Sequence, residues 1–231
     1  MRKDTKTIFN AKTPANSGKL SILARNSLCW KDRDFALSVL WGFIFLFVAL
    51  VLNYAAGIYA TERASNPVTD IILSNIPTFD VDGLFVYGTV VFWGFIIFLC
   101  VAEPQRTPFI VKSTALFVCI RSLFISLTHI GPFPTQITVD SNILAAFSFG
   151  GDLFFSGHVG LPFLMALAFW KDTLLRNIFV YAALFFGVVV LLAHLHYSID
   201  VLSAFFITYT IYCIAEVIFK KDRQFFDAVI H

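Results

Sequence analysis

Histidine and aspartate lie four residues apart in an otherwise apolar stretch, His196-Tyr197-Ser198-Ile199-Asp200. On a helix, positions i and i+4 share a face, so Asp200 can accept a hydrogen bond from one ring nitrogen of His196. That bond fixes the tautomer and leaves the other nitrogen basic and nucleophilic. An ion pair capping a helix would use the same two residues. Upstream stands Phe155-Ser156-Gly157-His158. There Ser156 suits a helix N-cap and Gly157 permits close approach of a ligand. Free N–H groups at such a helix start can hold a phosphate oxygen, with His158 beside it to give or take a proton. The plainer alternative for His158 is a solvated histidine at a helix end. Arg121 interrupts another apolar run. A cation at that depth costs about 2.5–3.5 kcal/mol, so it needs an anionic partner: Asp200, Asp152 or a substrate phosphate. Its planar fork suits phosphate, and a structural pair with an aspartate is the alternative.

Taken together, two histidines, a carboxylate and an arginine describe a phosphoryl-transfer site. One histidine attacks phosphorus, the carboxylate orients it, the second histidine handles the proton, and arginine neutralises charge. No cofactor or metal is required. A metal site of His194 and His196 with His129 or His158 is a weaker pattern, because ligands one residue apart on a helix diverge in direction.

The elements that must position these residues are read from composition. Of 231 residues, 58% are hydrophobic and 14% charged, against about a quarter charged in soluble domains. Too few polar residues are present to cover a soluble fold. Residues 35–61, 83–102, 153–170 and 177–199 carry no Asp, Glu, Lys or Arg. Roughly 20 apolar residues cross a hydrocarbon core of about 30 Å. Two more spans fit at about 108–130, its apolar run interrupted by Arg121, and about 200–219, with Pro108 suited to a first helical turn. The fold class expected is all-α, a polytopic membrane protein with a bundle of six transmembrane helices.

Charge sets the orientation. All but Arg63 and Arg121 of the 17 Lys and Arg residues fall in the N-terminal segment, the loops after the second and fourth spans, and the tail. Positive loops stay cytoplasmic, so both termini are expected inside. The chain then divides into a basic cytoplasmic segment 1–34, a six-helix catalytic domain 35–220 and a cytoplasmic tail 221–231. The N-terminus lacks the pattern of a cleaved signal peptide, and residues 20–30 read either as an interfacial helix or as a disordered basic tail. Cys29, Cys100, Cys119 and Cys213 all miss the external loops, so no disulfide framework is expected. The external segments, about 61–83, 131–155 and 194–200, gather Asp80, Asp82, Asp140, Asp152, His158, His194, His196 and Asp200. Ionisable groups at this boundary are expensive and so are functional candidates.

These residues carry a family resemblance. Gly151-Asp152-Leu153-Phe154-Phe155-Ser156-Gly157-His158 resembles the Gly-Asp-x-x-x-Ser-Gly-His block of the sphingomyelin synthase-like branch of the type-2 phosphatidic acid phosphatase superfamily. Ala193-His194-Leu195-His196-Tyr197-Ser198-Ile199-Asp200-Val201 is similar to its second histidine block. Arg121 through Thr128 and Ile76-Pro77-Thr78-Phe79-Asp80 resemble two earlier blocks more loosely, and the likeness spans about residues 35–220.

The resemblance implies a triad of His158, His196 and Asp200 facing the lumen, periplasm or exterior. It makes His196 the nucleophile that becomes a phosphohistidine, Asp200 its orienting group and His158 the acid and then base. Arg121, Ser156, Gly157, Asp152, His194 and Asp80 would line the phosphate and substrate site. Phosphatases of the superfamily place an arginine six residues before the nucleophile, where this chain has Val190. The expected activity is therefore transfer of a phosphocholine- or phosphoethanolamine-type head group from a glycerophospholipid to ceramide or diacylglycerol. The rivals are a lipid phosphate phosphatase with water as acceptor, and a non-catalytic lipid-binding or scrambling protein. The expected partners are membrane lipids and not nucleic acid.

Overall fold

A computed structural model describes residues 21–136 and 153–228. Every regular element among them is helical. In chain order these are α1 (Ile22–Lys31), α2 (Arg33–Glu62), α3 (Asp82–Ala102), a 3-10 turn (Pro104–Arg106), α4 (Thr107–Leu127), α5 (Gly157–Ala168), α6 (Thr173–Leu192), α7 (Ser198–Ile218) and α8 (Lys220–Asp227).

Five of them, α2, α3, α4 with its leading turn, α6 and α7, are long and apolar enough to cross a bilayer. Their outer faces stay uncovered, as at Trp41 and Phe47 on α2, Val91 on α3, Tyr181 on α6 and Val217 on α7. Exposed apolar surface on this scale requires hydrocarbon as solvent. Pro108 falls in the first turn of α4, where its missing N–H is not needed.

The expected fourth span, 153–170, is helical over only 12 residues, about 18 Å at 1.5 Å each. Leu153 to Ser156 run through the protein without regular structure, with Leu153, Phe155 and Ser156 all buried. Irregular backbone at membrane depth is tolerated where protein encloses it. An uncharged run cannot distinguish that from helix, so its extent was misleading.

The centre of the bundle is α4 against α2, and α5 against α6 and α7. Phe109, Phe117, Val159 and Leu164 are fully buried there. At Gly160 a Cβ would sit 2.6 Å from the Phe117 ring and 2.8 Å from Thr208 Oγ1, so glycine sets how closely α5 approaches α4 and α7. By contrast α3 leans on α6 and does not pack along α2.

One end of the bundle is tied by Lys112, whose Nζ meets Asp222 Oδ2 at 2.8 Å and Ser38 Oγ at 2.6 Å, joining α4, α8 and α2. Arg223 on α8 lies against the Phe109 and Phe226 rings and donates to the last carbonyl of α5, Ala168, at 2.8 Å. Residues 22–31 form a helix, as in the interfacial reading, and its Trp30 packs on Phe35, which packs on Phe225. The segment read as the tail from 221 onward starts within α8, whose Phe225 and Phe226 are buried.

At the other end, α6 stops at Leu192 rather than continuing to 199. Leu195 N–H bonds Val190 O at 2.9 Å and His194 N–H bonds Leu191 O at 3.1 Å, the paired bonds of a Schellman ending. The residue that takes the left-handed conformation is His194, at φ 54°, where glycine is usual. The chain turns, and α7 starts at Ser198 with Asp200 Oδ2 accepting the Tyr197 N–H at 2.9 Å.

Candidate active site

The short segment from Leu153 to His158 gathers the chemistry. Its Leu153 carbonyl accepts from His196 Nδ1 at 2.9 Å. Its Phe155 carbonyl accepts from Arg121 Nε at 3.1 Å. The Ser156 N–H donates to the Asp200 carbonyl at 3.2 Å. Gly157 then lies under the guanidinium, so close that a Cβ would sit 3.3 Å from Arg121 Nε. His158 opens α5 with its ring between Phe85, 4.3 Å away centroid to centroid, and Phe186, 6.1 Å away.

His196 and Asp200 do not share a helix face as the i, i+4 spacing suggested. His196 precedes α7 and Asp200 lies in its first turn. The closest approach of Nδ1 to Asp200 Oδ2 is 3.7 Å, an ion-pair distance but too long for a hydrogen bond. The Leu153 carbonyl takes the Nδ1 proton, while Asp200 contributes its charge from a fully buried position. With Nδ1–H donated to that carbonyl, Nε2 keeps its lone pair.

Ser156 occupies the N-cap position of α5, but its hydroxyl makes no cap hydrogen bond. Ser156 Oγ and Asp200 Oδ1 are both buried without a partner. Unsatisfied polar atoms of this kind cost about 1–3 kcal/mol each, and here two stand beside the N-terminus of α5 and Arg121. The Ser156 hydroxyl, the first N–H groups of α5 and Arg121 are donors that suit the oxygens of an anion, whereas Asp200 Oδ1 is itself an acceptor and suits a donor.

Arg121 is buried and also reaches Asn53 Oδ1 of α2 at 3.5 Å. Together with Gly157 and His158 it lines a cavity of about 450 Å³ that continues between α2 and α3.

A second group of residues braces this site from outside. Asp70 Oδ2 accepts the Ser198 N–H at 2.7 Å and the Ser198 hydroxyl at 2.8 Å, while Oδ1 accepts the N–H groups of Ile72 and Leu73. The Tyr197 hydroxyl donates to the Gly131 carbonyl at 2.8 Å and receives the Val68 N–H at 3.3 Å. His194 is buried, its Nδ1 within 2.5 Å of Thr135 Oγ1 and 3.3 Å of Thr78 Oγ1. Burial holds this imidazole below its usual pKa, against smaller opposing contributions from Asp70 and the Ile76 backbone. His194 therefore stands in the brace, buried between Thr78, Thr135 and the Phe133 ring.

Asp80 is exposed and accepts the Asp82 N–H at the start of α3, at 3.2 Å. Among the described residues, no hydrogen bond or ion pair joins it to the histidines. Asp152 and Asp140 lie outside the described residues. Sequence reasoning missed Asp70, Asn53 and the Leu153 carbonyl. Asn53 had a signal, as an amide within an uncharged span; Asp70 sat in the external segment beside the acids that were singled out. A backbone carbonyl leaves no trace in side-chain pattern.

Residues 150–217, which hold both histidine blocks, match the family model described as PAP2 superfamily C-terminal. That match supports the type-2 phosphatidic acid phosphatase superfamily. No curated protein and no solved structure matches the chain. The match over these residues supports a lipid phosphatase or phosphotransferase type of activity, in a protein whose described elements are all helical and include five long and apolar enough to span a membrane.

Proposed function

We propose that the protein is a lipid head-group phosphotransferase of the sphingomyelin synthase-like kind. It moves a phosphocholine- or phosphoethanolamine-type group from a glycerophospholipid to a lipid alcohol such as ceramide or diacylglycerol. The observation that carries the reading is the Leu153–His158 segment, which holds Arg121, His196 and Asp200 around the start of α5, next to His158.

In this reading His196 Nε2 attacks the donor phosphorus and forms an N–P bond. The bond from phosphorus to the diacylglycerol oxygen breaks, and His158 gives that oxygen its proton. Arg121, the α5 N–H groups and the Ser156 hydroxyl hold the phosphoryl oxygens as charge builds on them. Asp200 stabilises the His196 ring once it is cationic. In the second half, His158 takes the proton of the acceptor hydroxyl, whose oxygen attacks phosphorus and releases His196. The chain's own residues supply every proton transfer.

Val190 supports transfer over hydrolysis. It is fully buried and lends its carbonyl to the α6 ending, so the arginine that phosphatases place six residues before the nucleophile has no counterpart there. Orientation follows from charge: Arg33, Lys112, Lys171 and Arg223 lie at the end of the bundle away from His196. With that end cytoplasmic, both termini are inside and the site faces the lumen, periplasm or exterior.

The test is purified protein in vesicles of mixed phospholipids, supplied separately with fluorescent ceramide and fluorescent diacylglycerol. Wild type yields a new phosphorylated lipid whose mass names the head group, and His196→Ala yields none above about a thousandth of that rate. Release of dephosphorylated product regardless of acceptor assigns the protein to phosphatases instead. Equal products from wild type and His196→Ala remove the nucleophile.

A further inference from the structure

The cavity beside Arg121 extends well beyond what a phosphate needs. From Arg121, Gly157 and His158 it runs between apolar walls that include Leu46, Phe92, Phe117 and Phe186. At about 450 Å³ it sits toward the lower end of sites that take organic ligands of roughly 300–1,000 Å³, which suits one hydrocarbon chain better than two.

Its mouth opens sideways. Helices α2 and α3 do not pack along each other. Leu50 and Trp93, one on each of them, line the cavity and remain 51% and 37% exposed. Next to Trp93, a Cβ on Gly94 would meet nothing within 4 Å. Both helices are membrane spans, so the gap faces hydrocarbon, and only something already in the bilayer can enter without leaving an apolar phase.

One wall atom specifies more than an alkyl chain. On α4, the hydroxyls of Ser113, Ser122 and Ser126 each bond back to a carbonyl four residues earlier. Thr114, which lines the cavity, does not: its Oγ1 is buried with no partner. Thr114 lies seven residues before Arg121, so both share one face of α4, about 10 Å apart along the axis. The Arg121 stem leans back toward the N-terminus of the helix, which shortens that gap.

We propose that this cavity is the slot for one acyl chain of the lipid that reacts at Arg121 and His158. The chain enters sideways between α2 and α3, and Thr114 donates its hydroxyl to the carbonyl of the ester or amide linking that chain. The proposal rests on the reading of the site as one that acts on lipids. It makes the linkage carbonyl a recognition element, separate from the head group.

Binding can be read without turnover. Full-length protein is placed in phosphatidylcholine vesicles doped with phosphatidylcholine carrying a diazirine in one ester-linked chain, irradiated, and mapped by peptide mass. Label concentrates on Leu46, Leu50, Phe92 and Trp93, and His196→Ala retains it. Leu50→Trp, which fills the mouth, removes most of it, whereas Val90→Trp on the exposed face of α3 leaves it unchanged. Thr114→Val, of nearly the same shape, lowers slot labelling by about 3- to 10-fold, the worth of one neutral hydrogen bond. With an ether-linked probe, which lacks the carbonyl, that variant changes nothing. Label spread evenly over the exposed faces of α2, α3 and α6 marks annular lipid only and overturns the slot. Equal sensitivity of ester and ether probes to Thr114→Val overturns the carbonyl contact. Slot labelling in a protein that transfers no head group sinks the transferase reading while leaving the slot intact.

Discussion

Asp70 accepts four hydrogen bonds and thereby fixes where α7 begins. Burial opposes its charge, but the bonds from the Ser198 N–H, the Leu73 N–H, the Ser198 hydroxyl and the Ile72 N–H outweigh that and hold the carboxyl below its ordinary value. A depressed folded pKa gives stability that is complete above the usual carboxylate range and fades as pH falls through the lowered value. His194 acts in the same direction by a different route. Its burial keeps the ring neutral, so stability declines once pH drops below about 6.5, where the unfolded chain begins to bind the proton. The brace over the site is thus expected to loosen in mild acid through His194 and further in strong acid through Asp70. Thermal melts in detergent between pH 7.5 and 5 should show a falling midpoint that His194→Asn, which tolerates the left-handed backbone, flattens. Asp70→Ala removes cap bonds worth about 1–2 kcal/mol. It should lower kcat more than it raises KM, because it shifts His196 and not the cavity, while Asp70→Asn restores part of the rate through its amide oxygen. An unchanged kcat in Asp70→Ala would reduce Asp70 to a loop contact.

At the level of elements, the short α5 governs how close the site parts come. A methyl at Gly160 would overlap the Phe117 ring and the Thr208 hydroxyl, and overpacking of this kind costs about 1–3 kcal/mol. Gly160→Ala is expected to lower both the melting midpoint and turnover, by moving Gly157 and His158 away from Arg121. Gly94→Ala, where the added methyl meets open space, serves as the matched control and should melt like wild type. Equal melting of the two variants would show that α5 can shift at no cost. The long spans were legible from the sequence because charge is excluded from hydrocarbon: α2, α3 and α4 begin and end within a few residues of the runs that mark them. The turn between α6 and α7 was legible in place, as the external segment 194–200, but not in its geometry, since no glycine or proline marks it and His194 takes the left-handed position instead. Nor was α8, whose eight residues carry too little apolar pattern to show that Phe225 and Phe226 pack beneath the bundle.

For the whole molecule, the two ends divide the work. One end is closed by Lys112 with Asp222, by Arg223 among aromatic rings, and by α1 and α8. The other brings three separate loops, around Asp70, Gly131 and Tyr197, into one hydrogen-bonded cover over the histidines. The candidate site itself was half legible. His158, His196, Asp200 and Arg121 were visible as costly groups at a membrane face, and the fold gathers them around one segment. The means by which it does so, through backbone carbonyls of Leu153 and Phe155, follow only from the irregular path of residues that read as helix. The central claim is that His196 becomes covalently phosphorylated by a lipid head group. The direct measurement is peptide mass analysis, under neutral conditions, after incubation with phosphatidylcholine whose head group is isotopically labelled and with no acceptor present. The account predicts an acid-labile phosphocholine-type adduct on the His196 peptide, absent from His196→Ala and discharged by added ceramide or diacylglycerol. Turnover without any adduct on His196, or an adduct on another residue that survives in His196→Ala, would contradict it.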